Sequence, residues 1–337
     1  MKKIIIFMII LFVSNFSYAS KSLFDTDFYD IQFESFDIEN KKNLEIKKIK
    51  LLTFDKILNN LLNQEDYIRI KKNLNEEFSN VFVKNIIIDD EKIISNRYSS
   101  KIKINFDKIK VIKYLRANKI PYVEYLPEKF ILVIYDETQI SKNLFSKKNK
   151  YYSYLLKNNN FNYLKLPNLD INDRYLLNEK DLINKDEVRI KNFSKKYNNK
   201  DLLVIISKNN KIFSYLFINQ KIVEMDDHIF DDMYESLFDK LQKNSLNLWK
   251  IENQIQKTFL NNLNCDISFF NMFELKEIKR NLSSSSLIKN IITKSISLKK
   301  NNYDINFYGN KRILIDVLKL NKLNIKINDK KCKIKLL

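Results

Sequence analysis

Phe130-Ile131-Leu132-Val133-Ile134-Tyr135 is a continuous apolar run, closed by Asp136-Glu137. A strand with no polar alternation is covered on both faces, the state of a strand inside a sheet flanked by helices. The stretches that follow switch between helical and extended patterns. A helix is predicted over 151–158, a strand near 163–166, helical segments from Asp170 to about Tyr197, and a second apolar strand over 202–206. That alternation predicts a central α/β domain, residues 127–247, with a mostly parallel sheet. A hairpin of 212–218 and 221–225 and a long helix over 227–246 complete it.

Upstream, residues 20–126 read as an α+β domain. A strand is expected over 28–38. An amphipathic helix follows over 43–62, with Leu44, Ile46, Ile49, Leu52, Phe54, Leu58 and Leu61-Leu62 spaced mostly at three and four residues. A second helix is predicted over 67–78. Strands over 81–88 and 93–106 flank Asp89-Asp90-Glu91 as an acidic turn, and Lys101-Ile102-Lys103-Ile104-Asn105-Phe106 alternates as a half-buried strand does. Asp107 caps a helix that Ile120-Pro121 ends. Downstream, residues 248–337 open with a helix or linker to about Leu263. Their element order, βαββαβ with an extra strand, predicts a ferredoxin-like module. The fold class is thus multi-domain, α+β and α/β.

The amino terminus has the layout of a secretion signal: Lys2-Lys3, the apolar run Ile4–Val13, then Ser17 and Ala19 at the small-residue positions of a cut before Ser20. Residues 1–19 are read as a signal peptide cleaved between Ala19 and Ser20. The apolar run is shorter than the roughly 20 residues a spanning helix needs. No later stretch supplies them, so no transmembrane segment is expected after cleavage. No cysteine adjoins the cut, so lipidation there is not expected, and the mature chain is placed in the periplasm or otherwise outside the cytoplasm.

Composition excludes more than it identifies. The single glycine, Gly309, rules out a P-loop, a dinucleotide fingerprint and a Gly-x-Ser-x-Gly elbow. The single histidine, His228, removes paired-histidine zinc sites. Cys265 and Cys332 are the only thiols, so there is no Cys-x-x-Cys pair. Ser283–Ser286 has no identifiable general base and reads as a loop. The net charge of +19 is spread along the chain rather than gathered in a basic block. It suits weak peripheral attraction to an anionic membrane and not nucleic-acid binding. Trp249 and the tyrosines then read as packing, not as a stacking platform.

Three constellations merit weighing. Asp226, Asp227, His228, Asp231 and Asp232 have metal-like spacing, but an acidic first helical turn gives the same pattern. Asp136 and Asp170 each follow a strand of the central sheet, and ligands of open α/β sheets bind beyond strand carboxyl ends. They are the candidates for a ligand crevice, although Asp170 also suits a helix N-cap with Asp173 at the third helical position. Cys265 and Cys332 are expected as two buried free thiols. Cys265 lies just before the first strand and Cys332 opens the added strand after the last, so the two could approach and bond. Free thiols are favoured because the added hairpin at 328–331 would carry Cys332 one strand spacing further away.

Several ordered landmarks fit a known family. They include Ile104-Asn105-Phe106-Asp107, Leu115-Arg116 before Ile120-Pro121, the strand Ile131-Leu132-Val133-Ile134, Leu166-Pro167-Asn168-Leu169-Asp170 with Asp173, and Tyr197 with Asp201 framing 202–206. Over roughly Phe28 to Leu246 the chain resembles the bacterial domain-of-unknown-function family 2066. It departs from the family pattern at Asn63-Gln64, Glu128-Lys129 and Asn198, the last standing where the family has glycine. The resemblance implies an exported bacterial protein and implies no activity. The middle domain also broadly resembles the amino-terminal α/β domain of periplasmic TolB-type proteins.

The reading that follows is an exported, envelope-associated binding or assembly module with an envelope protein as partner, no cofactor, no metal and no enzymatic activity. The alternatives are a carboxylate-dependent hydrolase using Asp136 and Asp170, and a peripheral binder of anionic lipid surfaces.

Overall fold

The computed structural model describes residues 23–137, 144–158, 160–198, 200–208, 211–225, 228–229, 233–256, 259–298 and 300–337. These form three sheets and eleven helices, a mixed α/β protein. None of the helices is long and apolar enough to cross a membrane. The signal peptide and its Ala19–Ser20 cut lie outside the described residues, as do Asp226, Asp227, Asp231, Asp232 and the His228 side chain.

The chain divides into two compact units. One gathers the described residues up to Leu61 with Asp66–Tyr125 and Ile255–Leu337. The other comprises Leu62–Glu65 and Leu126–Gln254. The segments read from sequence as first and last therefore share a unit.

That shared unit opens with β1 (Tyr29–Glu34), α1 (Ile38–Leu61), α2 (Gln64–Lys71, beginning in the other unit), α3 (Glu76–Asn80), β2 (Val83–Ile94), β3 (Arg97–Phe106) and α4 (Lys108–Ala117). Its sheet is antiparallel in the order β1-β3-β2. β3 alternates as expected, with Tyr98, Ser100, Ile102, Ile104 and Phe106 inside. Phe54 of α1 stacks on Phe82 and Phe106 at 5.1 and 4.9 Å, which fixes helix to sheet. Leu44 and Leu52, placed in the stripe by spacing, remain exposed. Two helices replace the single one expected over 67–78.

The acidic stretch is not the turn. β2 runs on through Asp89-Asp90-Glu91, which form a bulge between the pairs Asp89↔Lys101 and Lys92↔Ser99. Asp90 takes φ 53° and pairs with Lys101 at 3.1 Å, while Glu91 accepts from Tyr98 Oη and meets Lys42. The chain reverses at Ser95-Asn96 instead, where Ser95 takes φ 56°. β2 is an edge strand, and Ile86, Ile87, Ile88, Ile93 and Ile94 are all exposed on it.

The unit closes with β10 (Leu260–Ser268), α10 (Met272–Ser284), β11 (Ile288–Ser295), β12 (Lys300–Tyr308), α11 (Lys311–Leu320), β13 (Leu323–Asn328) and β14 (Lys331–Leu336), numbered after the elements of the other unit given below. The sheet order is β11-β12-β10-β14-β13. In a ferredoxin-like sheet the strand after the second helix would lie beside the first. Here that strand, β13, is pushed to the edge. The turn at Asp329-Lys330, with Asp329 at φ 54°, folds β14 inward to pair in parallel with β10. Cys332 then faces Cys265 and the two form a disulfide, which overturns the expectation of free thiols. The halves of the unit meet through the bridge Tyr122↔Ile255, the bond from Tyr125 Oη to Asp316 (2.9 Å), and Arg116, which bonds the Ser286 carbonyl and lies 4.2 Å from the Tyr308 ring centre.

The second unit contains β4 (Phe130–Asp136), α5 (Lys150–Lys157), β5 (Leu164–Lys165), α6 (Ile171–Leu176), α7 (Glu179–Ile183), α8 (Glu187–Lys196), β6 (Leu202–Lys208), β7 (Lys211–Ile218), β8 (Lys221–Glu224), β9 (His228–Ile229) and α9 (Tyr234–Asn253). Every residue of β4 is buried, as its unbroken apolar run predicts. The sheet, β5-β4-β6-β7-β8 with β9 on β7, is mixed rather than mostly parallel. β5, β4 and β6 are parallel, and the pairings beyond β6 are antiparallel. The long helix begins at Tyr234, since residues 228–229 pair as strand with β7, and it runs on to Asn253 through the expected linker.

Candidate functional site

β4 is the switch point of its sheet. From β4 the chain goes to β5 on one side and then crosses to β6 on the other, and both run parallel to β4. In such sheets the carboxyl ends of the switching strands are where ligands settle. Asp136 stands there, in register with Ser207 of β6.

Asp136 is buried, and its Oδ2 lies 3.7 Å from Nζ of Lys150, the first residue of α5. Asn149 caps that helix by accepting from the amides of Tyr151 and Tyr152. The cap fixes where α5 begins, and so places Lys150, Tyr151 and Tyr152 against the sheet. Tyr151 donates to Ser207 Oγ at 3.0 Å, while its ring meets those of Tyr234 and Phe238 edge-on. Burial pushes its hydroxyl up to about 12, so it acts as a donor at neutral pH. Lys208 and Glu137 pair at 3.3 Å at the same strand ends.

The result is a carboxylate, an ammonium, a phenol and a hydroxyl within one neighbourhood. Serine chemistry needs a base that accepts the hydroxyl proton. The group bonded to Ser207 is a protonated phenol, which does not serve as that base.

Asp170 is engaged elsewhere. Its Oδ1 accepts from the Asp173 amide at 2.9 Å, making it the N-cap of α6, and Lys196 Nζ lies 3.0 Å away. The Lys196 bond and the helix amide hold its carboxyl below the usual range. Asp173 is fully buried. It pairs with Lys196 at 2.6 Å and accepts from Tyr197 Oη at 2.8 Å, and the Tyr197 hydroxyl in turn accepts from the Asn168 amide. The network fastens 168–173 to the end of α8. Asp136 and Asp170 thus take separate partners, one where β4 and β6 end and the other on the segment leading into β6.

Tyr152 was not singled out by sequence. β5 pairs with β4 only at Phe130 and Ile131, and among the described residues no strand covers the rest of that edge of β4. The Tyr152 hydroxyl takes its place, donating to the Leu132 carbonyl at 3.3 Å and accepting from the Ile134 amide at 2.9 Å. The one sequence signal is a tyrosine pair in the first turn of a helix that follows an all-apolar strand. Lys250 was missed as well. It is buried in α9 and donates to the Leu62 carbonyl at 2.9 Å, and burial pulls its ammonium down to about 8.

Among the described residues no group of three or more histidine, cysteine or carboxylate side chains is placed to hold a metal. Comparison with models of protein families, with curated proteins and with solved structures finds no match for this chain.

Proposed function

We propose that this chain is an exported bacterial envelope protein, cut between Ala19 and Ser20, that works as a binding or assembly module and not as an enzyme. Its membership of family 2066 and its engagement of an envelope protein partner belong to the same reading. The observation that carries it is the Cys265–Cys332 disulfide. Such bonds persist in oxidising compartments and are rare in the cytosol.

The use made of the polar side chains supports the non-enzymatic part. Asp170 caps a helix, Asp173 with Lys196 and Tyr197 fastens a loop, and Tyr152 completes a strand edge. Each is occupied in holding backbone. The carboxylates that a hydrolase would pair have separate partners.

Fractionation of cells producing the full chain tests the proposal. The expected product begins at Ser20, leaves the cell or is released with the periplasm, and has both thiols blocked before reduction. A product retained in the cytoplasm, beginning at Met1 and with both thiols alkylatable, overturns it.

A further inference from the structure

One end of the carboxy-terminal sheet carries several large apolar side chains at its surface. Ser268 closes β10 opposite Lys300, which opens β12, so the β10–α10 junction and the β11–β12 turn lie at the same end. At the first, Phe269 turns inward while Phe270 and Phe273 are 94% and 83% exposed, with Met272 beside them at 61%. At the second, Ile296 and Leu298 are 77% and 95% exposed.

This exposure is held in place. The Phe270 amide donates to Glu274 Oε2 at 2.7 Å, and Asn271 accepts from the Glu274 amide at 2.9 Å, so the polar residues of the junction cap α10 and the large apolar ones face out. In the turn, Ser297 donates through its amide to Asn301 Oδ1 at 3.1 Å and through its hydroxyl to the Lys300 carbonyl.

Exposed lysines stand at the same end of the sheet. Lys276 is one turn into α10, on the face of Met272 and Phe273. Lys335 follows Ile334, the partner of Ile267, and Lys319 and Lys322 flank the end of α11, where β13 begins opposite Leu336. Lys300 pairs with Asp266 at 2.9 Å, and Glu274 is engaged in the cap.

We infer that this end, led by Phe270, Met272, Phe273, Ile296 and Leu298, inserts into the headgroup region of an anionic lipid bilayer. Large apolar side chains exposed together at one end of a sheet suit an interaction site. Here they project from a helix start and a hairpin turn, so whatever covers them must yield to their shape, as a fluid bilayer does. The lysines at this end match anionic headgroups in charge, and their stems are apolar. The inference goes beyond envelope association by naming a surface and its partner.

Flotation of the purified, oxidised mature protein with vesicles tests it. Vesicles containing phosphatidylglycerol are expected to carry the protein and phosphatidylcholine vesicles far less, with binding weakened by added salt. The variant Phe270→Ser with Phe273→Ser should cut partitioning by about tenfold or more, because two side chains lose their apolar burial. Its thermal unfolding should be unchanged, since both positions are exposed. In Phe270→Trp, fluorescence quenched by brominated lipid is expected to rise above the baseline of Trp249, which is 3% exposed.

Failure of the wild-type chain to float on phosphatidylglycerol overturns the inference, as does a double-serine variant that floats equally well. A wild-type dimer that the double variant converts to monomer, without change in flotation, assigns the end to a second copy and overturns it too. None of these results bears on export, which the cut at Ser20 decides separately.

Discussion

Cys265 and Cys332 stand directly opposite each other on the parallel neighbours β10 and β14, their Cα atoms 4.4 Å apart and their sulfurs joined. The bond links the first strand of its module to the last and encloses both helices between them. β14 is thereby held inside the sheet, and β13 is left on the edge.

Replacing both cysteines by serine, or reducing the bond, should lower stability by about 2–5 kcal/mol, the usual cost for a loop of this size. The closed loop spans 67 residues. Denaturant unfolding with and without reductant measures the loss. Equal midpoints would show that the bond adds nothing to the fold.

Tyr152→Phe keeps the buried ring and removes only the hydroxyl. The Leu132 carbonyl and the Ile134 amide then lose their partner in the core, at a cost of about 1–3 kcal/mol. Amide exchange at Ile134 should accelerate more than at Leu203 or Val204, which belong to β6. Unchanged protection at Ile134 would mean that the hydroxyl does not stand in for a strand.

Lys250 gives the stability a signature in alkali. An ammonium drawn down to about 8 binds fewer protons folded than unfolded up to its ordinary value. Stability should therefore rise with pH from about 8, by roughly 3 kcal/mol if the full window were used. Above pH 10 the buried tyrosines oppose it. Their hydroxyls are pushed up by burial, so the unfolded chain ionises first. Chemical unfolding of wild type and Lys250→Met between pH 7 and about 9.5 isolates the effect. The slope should appear in the first and vanish in the second.

Scarcity of glycine has a cost that can be measured. After α11 the chain takes the left-handed conformation at Lys322, φ 61°, a place where helices usually put glycine. The cost of that conformation for a side-chain-bearing residue is about 1–2 kcal/mol, partly offset by the freedom glycine brings to the unfolded chain. Lys322→Gly should thus raise stability by a few tenths to about 1 kcal/mol. A fall in the thermal midpoint would show that the lysine makes contacts worth more than the strain.

Local patterns in the sequence carried the elements well. β4 was legible because a strand buried on both faces has no polar side to hide, and Asp107 and Asp170 because a carboxylate before an apolar helix has few other uses. Asn198 adopts positive φ, the backbone region that asparagine tolerates better than most side chains. What the sequence obscured was pairing. Asp89-Asp90-Glu91 has turn composition, yet two lysines and a tyrosine bind it into a bulge. β13 and β14 have similar patterns, so nothing local says which goes inside. The β7–β8 hairpin was legible, but the antiparallel pairing of β7 with β6 was not, because β6 is as apolar as β4 and covered strands look alike in either direction. The role of Tyr152 depends on a β5 only two residues long, a length no periodicity reveals.

The division of one unit between the two ends of the chain sets a timetable. The first half, through Tyr125, finds its remaining partners only when Ile255–Leu337 arrives, more than a hundred residues later. Chains emerge at about 5–20 residues per second, so the first half waits for many seconds at the least. Throughout that delay β2 offers five isoleucines on an edge that no other strand of the described residues pairs with. An edge of that kind recruits other strands. Newly made chains therefore run their greatest risk of misassociation before their second end appears, and a holding chaperone would be needed early and released late.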